Sequence, residues 1–187
     1  MRITGGTHRT RPLRAPEGLI TRPTTDRIRE ALFNILSHRD WGADLGKMPE
    51  SQIVLDAFAG TGALGLEALS RGGSQTIFFE KNRKSLKLLE ENICSLKLEE
   101  QSTIHALDVT HPLEAETACS LIFLDPPYHK DLIPQTLAAL EETGWIAPHA
   151  LIVTETAKGE AFEIPPFLQP LLERRYGNTV LTFLEKK

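Results

Sequence analysis

Apolar positions along this chain fall into two rhythms, and the change between them comes at residue 52. Before it, Ile28, Leu32, Phe33, Ile35 and Leu36 recur at helical spacing, which predicts a helix opening near Pro23-Thr24-Thr25-Asp26 with a threonine cap. On that pattern Arg27 and Arg29 lie on the helix's polar side. The segment 1–23 has few apolar residues and reads as a short hairpin or loop, punctuated by Gly5-Gly6 and Pro16-Glu17-Gly18. Residues 41–51, with Gly42, Gly46 and Pro49, read as a linker. From Gln52 onward short β-rich runs alternate with helical ones. The runs 53–58, 76–80, 103–107, 121–124 and 150–154 are predicted strands. Between them, 63–70 (closed by Gly72 as a C-terminal cap), 82–96 and 131–142 are predicted helices. Strands apolar on both faces, alternating with helices, imply a parallel sheet covered on both sides. The end differs: 174–176 and 179–184 flank Gly177-Asn178, a hairpin signal. The expected fold is therefore α/β and Rossmann-like. It has a mostly parallel seven-stranded sheet with a C-terminal antiparallel hairpin, the layout of class I methyltransferases. Residues 1–40 form an arm and helix ahead of a main domain at 41–187.

Composition narrows the class. A chain of 187 residues with 41% apolar content suits one domain with a core. No run of eighteen apolar residues predicts a membrane span, and the N-terminus lacks the apolar stretch of a signal peptide. Cys94 and Cys119 have no metal-ligand spacing and read as reduced thiols, which suits a cytoplasmic protein; the six histidines form no zinc pattern. The net charge of −4 conceals an asymmetry. Residues 1–39 carry eight arginines, no lysine and three acids, a net of +5 that leaves −9 for the remainder. Arginine forks onto phosphate and stacks on bases, so a basic arm on an acidic body points toward nucleic acid. A solvated arm pairing with the body fits the same counts.

Two motifs carry the chemistry. Gly60-Thr61-Gly62-Ala63-Leu64-Gly65 follows a predicted strand and opens a helix, as a nucleotide-like cofactor requires. Glu80 ends the next strand twenty residues on, where a carboxylate can accept hydrogen bonds from ribose hydroxyls. Both features are shared with NAD sites. Asp56 favours S-adenosylmethionine: an acid aimed at the turn repels pyrophosphate but can hold the ammonium of a methionine end. Asp108, after the third strand, would meet the adenine amine or serve as a turn residue. Lys81 would flank the adenosine, and Asn82 would do so or cap the following helix. Asp125-Pro126-Pro127-Tyr128 follows a central strand, where ligands bind in open α/β sheets. The Asp125 carboxylate and Pro126 carbonyl could accept hydrogen bonds from an exocyclic amine while Pro127 stiffens the shelf. Tyr128 would stack on the base. This implies methyl transfer to an amino nitrogen, mainly by positioning.

With these motifs the chain resembles the RsmD family of 16S ribosomal RNA guanine-N2 methyltransferases. The resemblance covers nearly the whole length. Arg2-Ile3-Thr4-Gly5-Gly6 and Arg9-Thr10-Arg11-Pro12-Leu13 resemble its opening arm, and residues 22–34 its arginine-rich helix. Residues 55–62, Phe79-Glu80-Lys81 and Asp125-Pro126-Pro127-Tyr128 resemble its cofactor and catalytic motifs, and Tyr176-Gly177-Asn178-Thr179 its terminal hairpin. Thr4 and Thr10 depart from it, standing where the family has Ile and Gly. The resemblance implies cofactor contacts from Asp56, Ala57, Phe58, Gly60, Gly62, Glu80, Lys81, Asp108 and Asp125. It implies RNA contacts from Arg9, Arg11, Arg22, Arg27 and Arg29, with no metal. The implied target is guanine 966, in the family's nomenclature, of 16S rRNA in an assembling small subunit, and the implied enzyme is a monomer. Three other readings stand beside it. A DNA adenine or cytosine amino-methyltransferase would need a recognition domain. An NAD-dependent oxidoreductase leaves Asp56 and the Asp-Pro-Pro-Tyr segment unused. A non-catalytic RNA-binding assembly factor would use only the arm.

Overall fold

The computed structural model describes residues 1–16, 26–42, 46–127 and 131–187, and its sheet grows in both directions from two central parallel strands. These are β1 (Ile53–Asp56) and β4 (Cys119–Leu124). Outside β1 lie β2 (Gln75–Phe79) and then β3 (Ser102–His105); outside β4 lies β5 (Ile146–Ala157), all parallel. β7 (Thr179–Lys186) pairs antiparallel with β5, and β6 (Leu168–Tyr176) closes that edge, giving the order β3-β2-β1-β4-β5-β7-β6. Tyr176 pairs with Thr179 across the two-residue turn, whose Gly177 takes φ 61°. The seven-stranded, mostly parallel sheet with a terminal antiparallel hairpin is the fold expected from the sequence.

Alternation along each strand sends side chains to opposite faces. Val54, Leu121, Phe123, Leu151 and Val153 meet α1 (Asp26–His38) through its Ile28, Leu32, Phe33 and Leu36. Leu55, Ile122, Leu124 and Ile152 meet α4 (Leu132–Glu142) through Ile133, Leu137 and Leu140. The α1 face also carries α2 (Ala63–Ser70) and α3 (Arg83–Leu96), where Leu66, Leu69, Leu89 and Ile93 close around Phe78. Each such side chain contributes roughly 1.5–3 kcal/mol by leaving water. The start of α3 and the end of α2 are met as the sequence allows. Asn82 caps α3 by accepting from the Lys84 and Ser85 amides, at 2.9 and 3.2 Å. After α2, Gly72 N–H donates to Leu69 O and Gly73 N–H to Ala68 O, the paired bonds of a Schellman ending.

Four expectations change. β6 begins at Leu168, six residues before its predicted start. Residues 41–42 and 46–51 are more than a linker: Trp41 stacks on Phe183 with ring centroids 5.4 Å apart, its indole N–H donates to Leu36 O, and Met48 is buried. β5 begins four residues before its predicted start, because a register shift opposite Cys119 and Leu121 absorbs Pro148-His149, with His149 at φ 59°. On α1, Arg27 is exposed but Arg29 is buried. The predicted threonine cap of α1 lies outside the described residues.

The arm is a tight hairpin, with Ile3 N–H donating to Arg11 O and Thr10 N–H to Ile3 O. It lies against α2 so closely that a Cβ on Gly6 would sit 1.7 Å from Ser70 O. Ile3 and Leu13 join the cluster formed by α2, α3 and Phe78.

Candidate active site

β1 and β4 are neighbours whose connections leave toward opposite sides, so their carboxyl ends open the crevice where α/β sheets bind ligands. The glycine turn leaves β1 there, and Asp125 leaves β4. The two are tied by Ala57 N–H donating to Phe123 O at 3.0 Å. Phe58 is partly buried beside the core on the α4 side of the sheet.

Glu80 staples the turn. Its Oε2 accepts from Gly60 N–H at 2.8 Å and its Oε1 from Asn82 N–H at 2.6 Å. Gly60 is at φ 54°, and a Cβ there would meet nothing within 4 Å. Gly62, at φ 84°, is constrained oppositely: a Cβ would lie 2.4 Å from Leu89 Cδ1. One glycine therefore leaves an open cradle and the other lets α3 close behind the loop.

Asp56 shares a face with Val54 and points under the turn, where its Oδ2 accepts from Gly65 N–H at 2.9 Å. Burial pushes its carboxyl up to about 7, outweighing the Gly65 bond that lowers it, with Glu80 adding repulsion. Asp108 moves the other way, to about 2: hydrogen bonding from Lys81 Nζ at 2.8 Å comes first, then bonds from the Thr110 amide and hydroxyl. Lys81 and Asp108 thus meet at one rim of the crevice, and Asp108 is also the turn residue its position allows.

Asp125 is partly buried, Pro126 buried and Pro127 exposed, directly after β4. Pro126 and Pro127 line a small cavity with Ile133, Pro134, Thr156 and Phe162. Tyr128 lies outside the described residues, as does Arg22.

Arg9 and Arg27 are exposed and line a groove of about 570 Å³ between arm and α1, together with Arg2, Thr10, Asp26 and Glu30. Arg11 is exposed but donates to Ser95 O at 2.9 Å in the last turn of α3. Arg29 is not an RNA-facing residue. Its side chain is fully buried, donating to Glu67 Oε2 at 3.3 Å, to Asp26 Oδ1 at 2.8 Å and to Arg2 O. The sequence placed it on the polar side because its charge hid its place in the core.

Two residues were missed. Glu67, buried in α2, accepts from the Thr4 amide and hydroxyl, Arg29 and Arg71. Asn92, buried in α3, bonds to Arg14 and Thr61. Each had a signal: a lone acid in an apolar helix, and a polar residue three positions after Leu89 on the apolar face. Among the described residues no group of three or more His, Cys, Asp and Glu could hold a metal, and no helix is long and apolar enough to cross a membrane.

The sheet order, the glycine turn at its crossing point and the acid-proline segment on the next strand define a class I, Rossmann-like methyltransferase fold. The chain belongs to the RsmD family, whose model, described as Conserved hypothetical protein 95, matches residues 1–185. It is 38% identical over 156 residues to Ribosomal RNA small subunit methyltransferase D of Escherichia coli strain K12, covering 83% of this chain and 74% of that one. The protein of the same name from Haemophilus influenzae is 36% identical over 183 residues, covering 95% and 89%. The solved structure of yhhF from Escherichia coli, assigned as a methyltransferase, superposes with a TM-score of 0.84 at 33% identity, covering 100% of this chain and 98% of that one.

Proposed function

We propose that this protein methylates small-subunit ribosomal RNA with S-adenosylmethionine, and that the acceptor is the exocyclic N2 amine of a guanine, position 966 in the family's nomenclature. The observation that carries the chemistry is the juxtaposition at the ends of β1 and β4. There a glycine turn stapled by Glu80 stands beside the Asp125-Pro126 shelf. The relatives named as small-subunit rRNA methyltransferases support RNA as substrate.

The residues present suit the cofactor. The open side of Gly60 leaves room at the turn. Glu80, although stapled to Gly60 and Asn82, keeps lone pairs for ribose hydroxyls. Asp56, Ala57, Phe58 and Gly62 form the floor and wall, with Lys81 and Asp108 at the adenosine end. When bound, S-adenosylmethionine supplies an electrophilic methyl group. The protein's part is positioning. Asp125 and the Pro126 carbonyl accept hydrogen bonds from the amine, aim its lone pair and favour departure of its proton after transfer. Tyr128 stacks on the base and Pro127 holds the shelf rigid. Arg9, Arg11, Arg22 and Arg27 grip RNA. The substrate is the RNA of an assembling particle, met in the cytoplasm by a monomer.

The test is incubation with labelled S-adenosylmethionine and small subunits from a strain lacking the modification, followed by mapping of the label. Label on N2 of one guanine is expected. Label on another base or nitrogen rejects the specificity, and no label in RNA rejects the activity.

A further inference from the structure

Asn92 is out of place by composition. α3 buries Leu89, Ile93 and Leu96, and Asn92 lies among them with no exposed surface. Asparagine is unfavourable inside helices because its amide competes for backbone groups, and a buried amide must find partners. Here it finds three. Its Oδ1 accepts from Arg14 N–H at 2.7 Å, and its Nδ2 donates to Arg14 O at 3.1 Å and to Thr61 O at 2.9 Å. One donor and two acceptors around the amide fix which end is oxygen.

The partners belong to the two halves of the proposed function. Arg14 lies near the end of the described part of the arm. Thr61 sits between Gly60 and Gly62 in the cofactor turn. The Thr61–Gly62 peptide is pinned from both sides: its carbonyl by Asn92, its N–H by donation to Ala59 O at 2.7 Å. Asn92 is itself held in that orientation by both backbone groups of Arg14.

We propose that Asn92 is a positioning residue that sets the geometry of the cofactor turn and makes it depend on the seating of Arg14. This rests on the reading that the turn holds S-adenosylmethionine. Arg14 keeps the amide aimed at Thr61, the amide keeps the Thr61–Gly62 peptide in its plane, and the peptide shapes the cradle beside Gly60. Binding of cofactor at the turn therefore tightens the arm at Arg14, because linkage is reciprocal.

Asn92→Asp preserves size and the acceptor for Arg14 but removes both donors and sets a carboxylate against two carbonyls. It is expected to raise the KM for S-adenosylmethionine about tenfold, the effect of one buried hydrogen bond lost, with kcat within about twofold. Ser70→Ala is the control. It removes the arm's bonds from His8 N–H and to Gly5 O without touching Thr61. At a comparable loss of Tm it leaves that KM within about twofold. An unchanged KM in Asn92→Asp, or an equal rise in Ser70→Ala, overturns the proposal. Should Asn92→Asp fail to fold, amide exchange in the wild-type protein decides. Saturating S-adenosylmethionine should slow exchange at Arg14 about fivefold while Ile3 and Thr10 stay unchanged; no slowing at Arg14, or uniform slowing along the arm, overturns it. Calorimetry of the wild type separates the two levels. A wild type that binds no S-adenosylmethionine removes the underlying reading and Asn92's role with it. Binding by the wild type with no effect of Asn92→Asp removes Asn92's role alone.

Discussion

Among the carboxylates around the crevice, Asp108 and Asp56 have been given opposite environments. Asp108 is held ionised by Lys81 and Thr110. Asp56 is buried and pushed up to about 7, so the ligand-free protein carries it largely protonated in mildly acidic solution. An ammonium brought over the turn favours the ionised form, so cofactor binding near pH 6 should release close to one proton. Affinity should rise from pH 5.5 toward 7 and then level. Calorimetry in two buffers of different ionisation heat reads this directly, and Asp56→Asn should abolish the release; release unchanged in that variant places the titration elsewhere. Stability of the free protein follows the opposite course. A carboxyl raised in the folded state stabilises it fully below its ordinary value of 3.8, and that contribution is lost as pH rises through about 7. Asp125 lies partly buried directly after β4. Asp125→Ala should abolish methyl transfer while cofactor affinity stays within about tenfold, roughly 1.4 kcal/mol. Near wild-type turnover would remove Asp125 from the reaction.

Among the elements, α2 shows what the sequence could and could not disclose. Its start at a glycine turn and its stop at Gly72 were legible, because caps and turns are local chemistry. Glu67 was not: its partners Thr4, Arg29 and Arg71 come from the arm, α1 and the residue that ends α2, and only the fold assembles them. The same reason misplaced Arg29, whose periodicity on α1 was outweighed by its charge. The early start of β5 escaped for a different reason, since Pro148 reads locally as a break and only the register shift opposite β4 makes it tolerable. Glu67 and Arg29 have fully buried side chains, and such a pair is costly to break from one side. Glu67→Ala should lower stability by about 3–5 kcal/mol, since Arg29 keeps Asp26 but loses its buried partner. For a chain of this size that is roughly 6–20 °C in Tm. A melt within about 2 °C of wild type would mean that the cluster relaxes without penalty.

On the scale of the whole molecule, the charge asymmetry and the site lie on different parts of one packed body. The net +5 of residues 1–39 was legible from counting, and the crevice from its motifs. Which arginines face outward was not legible, because that depends on the groups that α2 and α3 present to the arm. The structure divides them into kinds. Arg9 and Arg27 line an open groove, Arg11 closes the last turn of α3, and Arg29 is buried. If the groove grips phosphates, Arg9→Ala and Arg27→Ala should each weaken RNA binding and lower the slope of log affinity against log salt by about 0.7–0.9. Their melting temperatures should stay near that of the wild type. Arg29→Ala should do the reverse, lowering Tm and leaving the slope unchanged in whatever fraction stays folded. Arg11→Ala should move both, since its guanidinium is exposed yet bonded to Ser95 O. Cofactor binding should change little in the Arg9 and Arg27 variants, because Asp56, Glu80 and Asp108 stand in the crevice and not in the groove. Salt titrations run beside thermal melts resolve the four variants. Equal slopes for Arg9→Ala, Arg27→Ala and wild type would refute the groove as the RNA-gripping surface and leave the arm as a strap over α2 and α3.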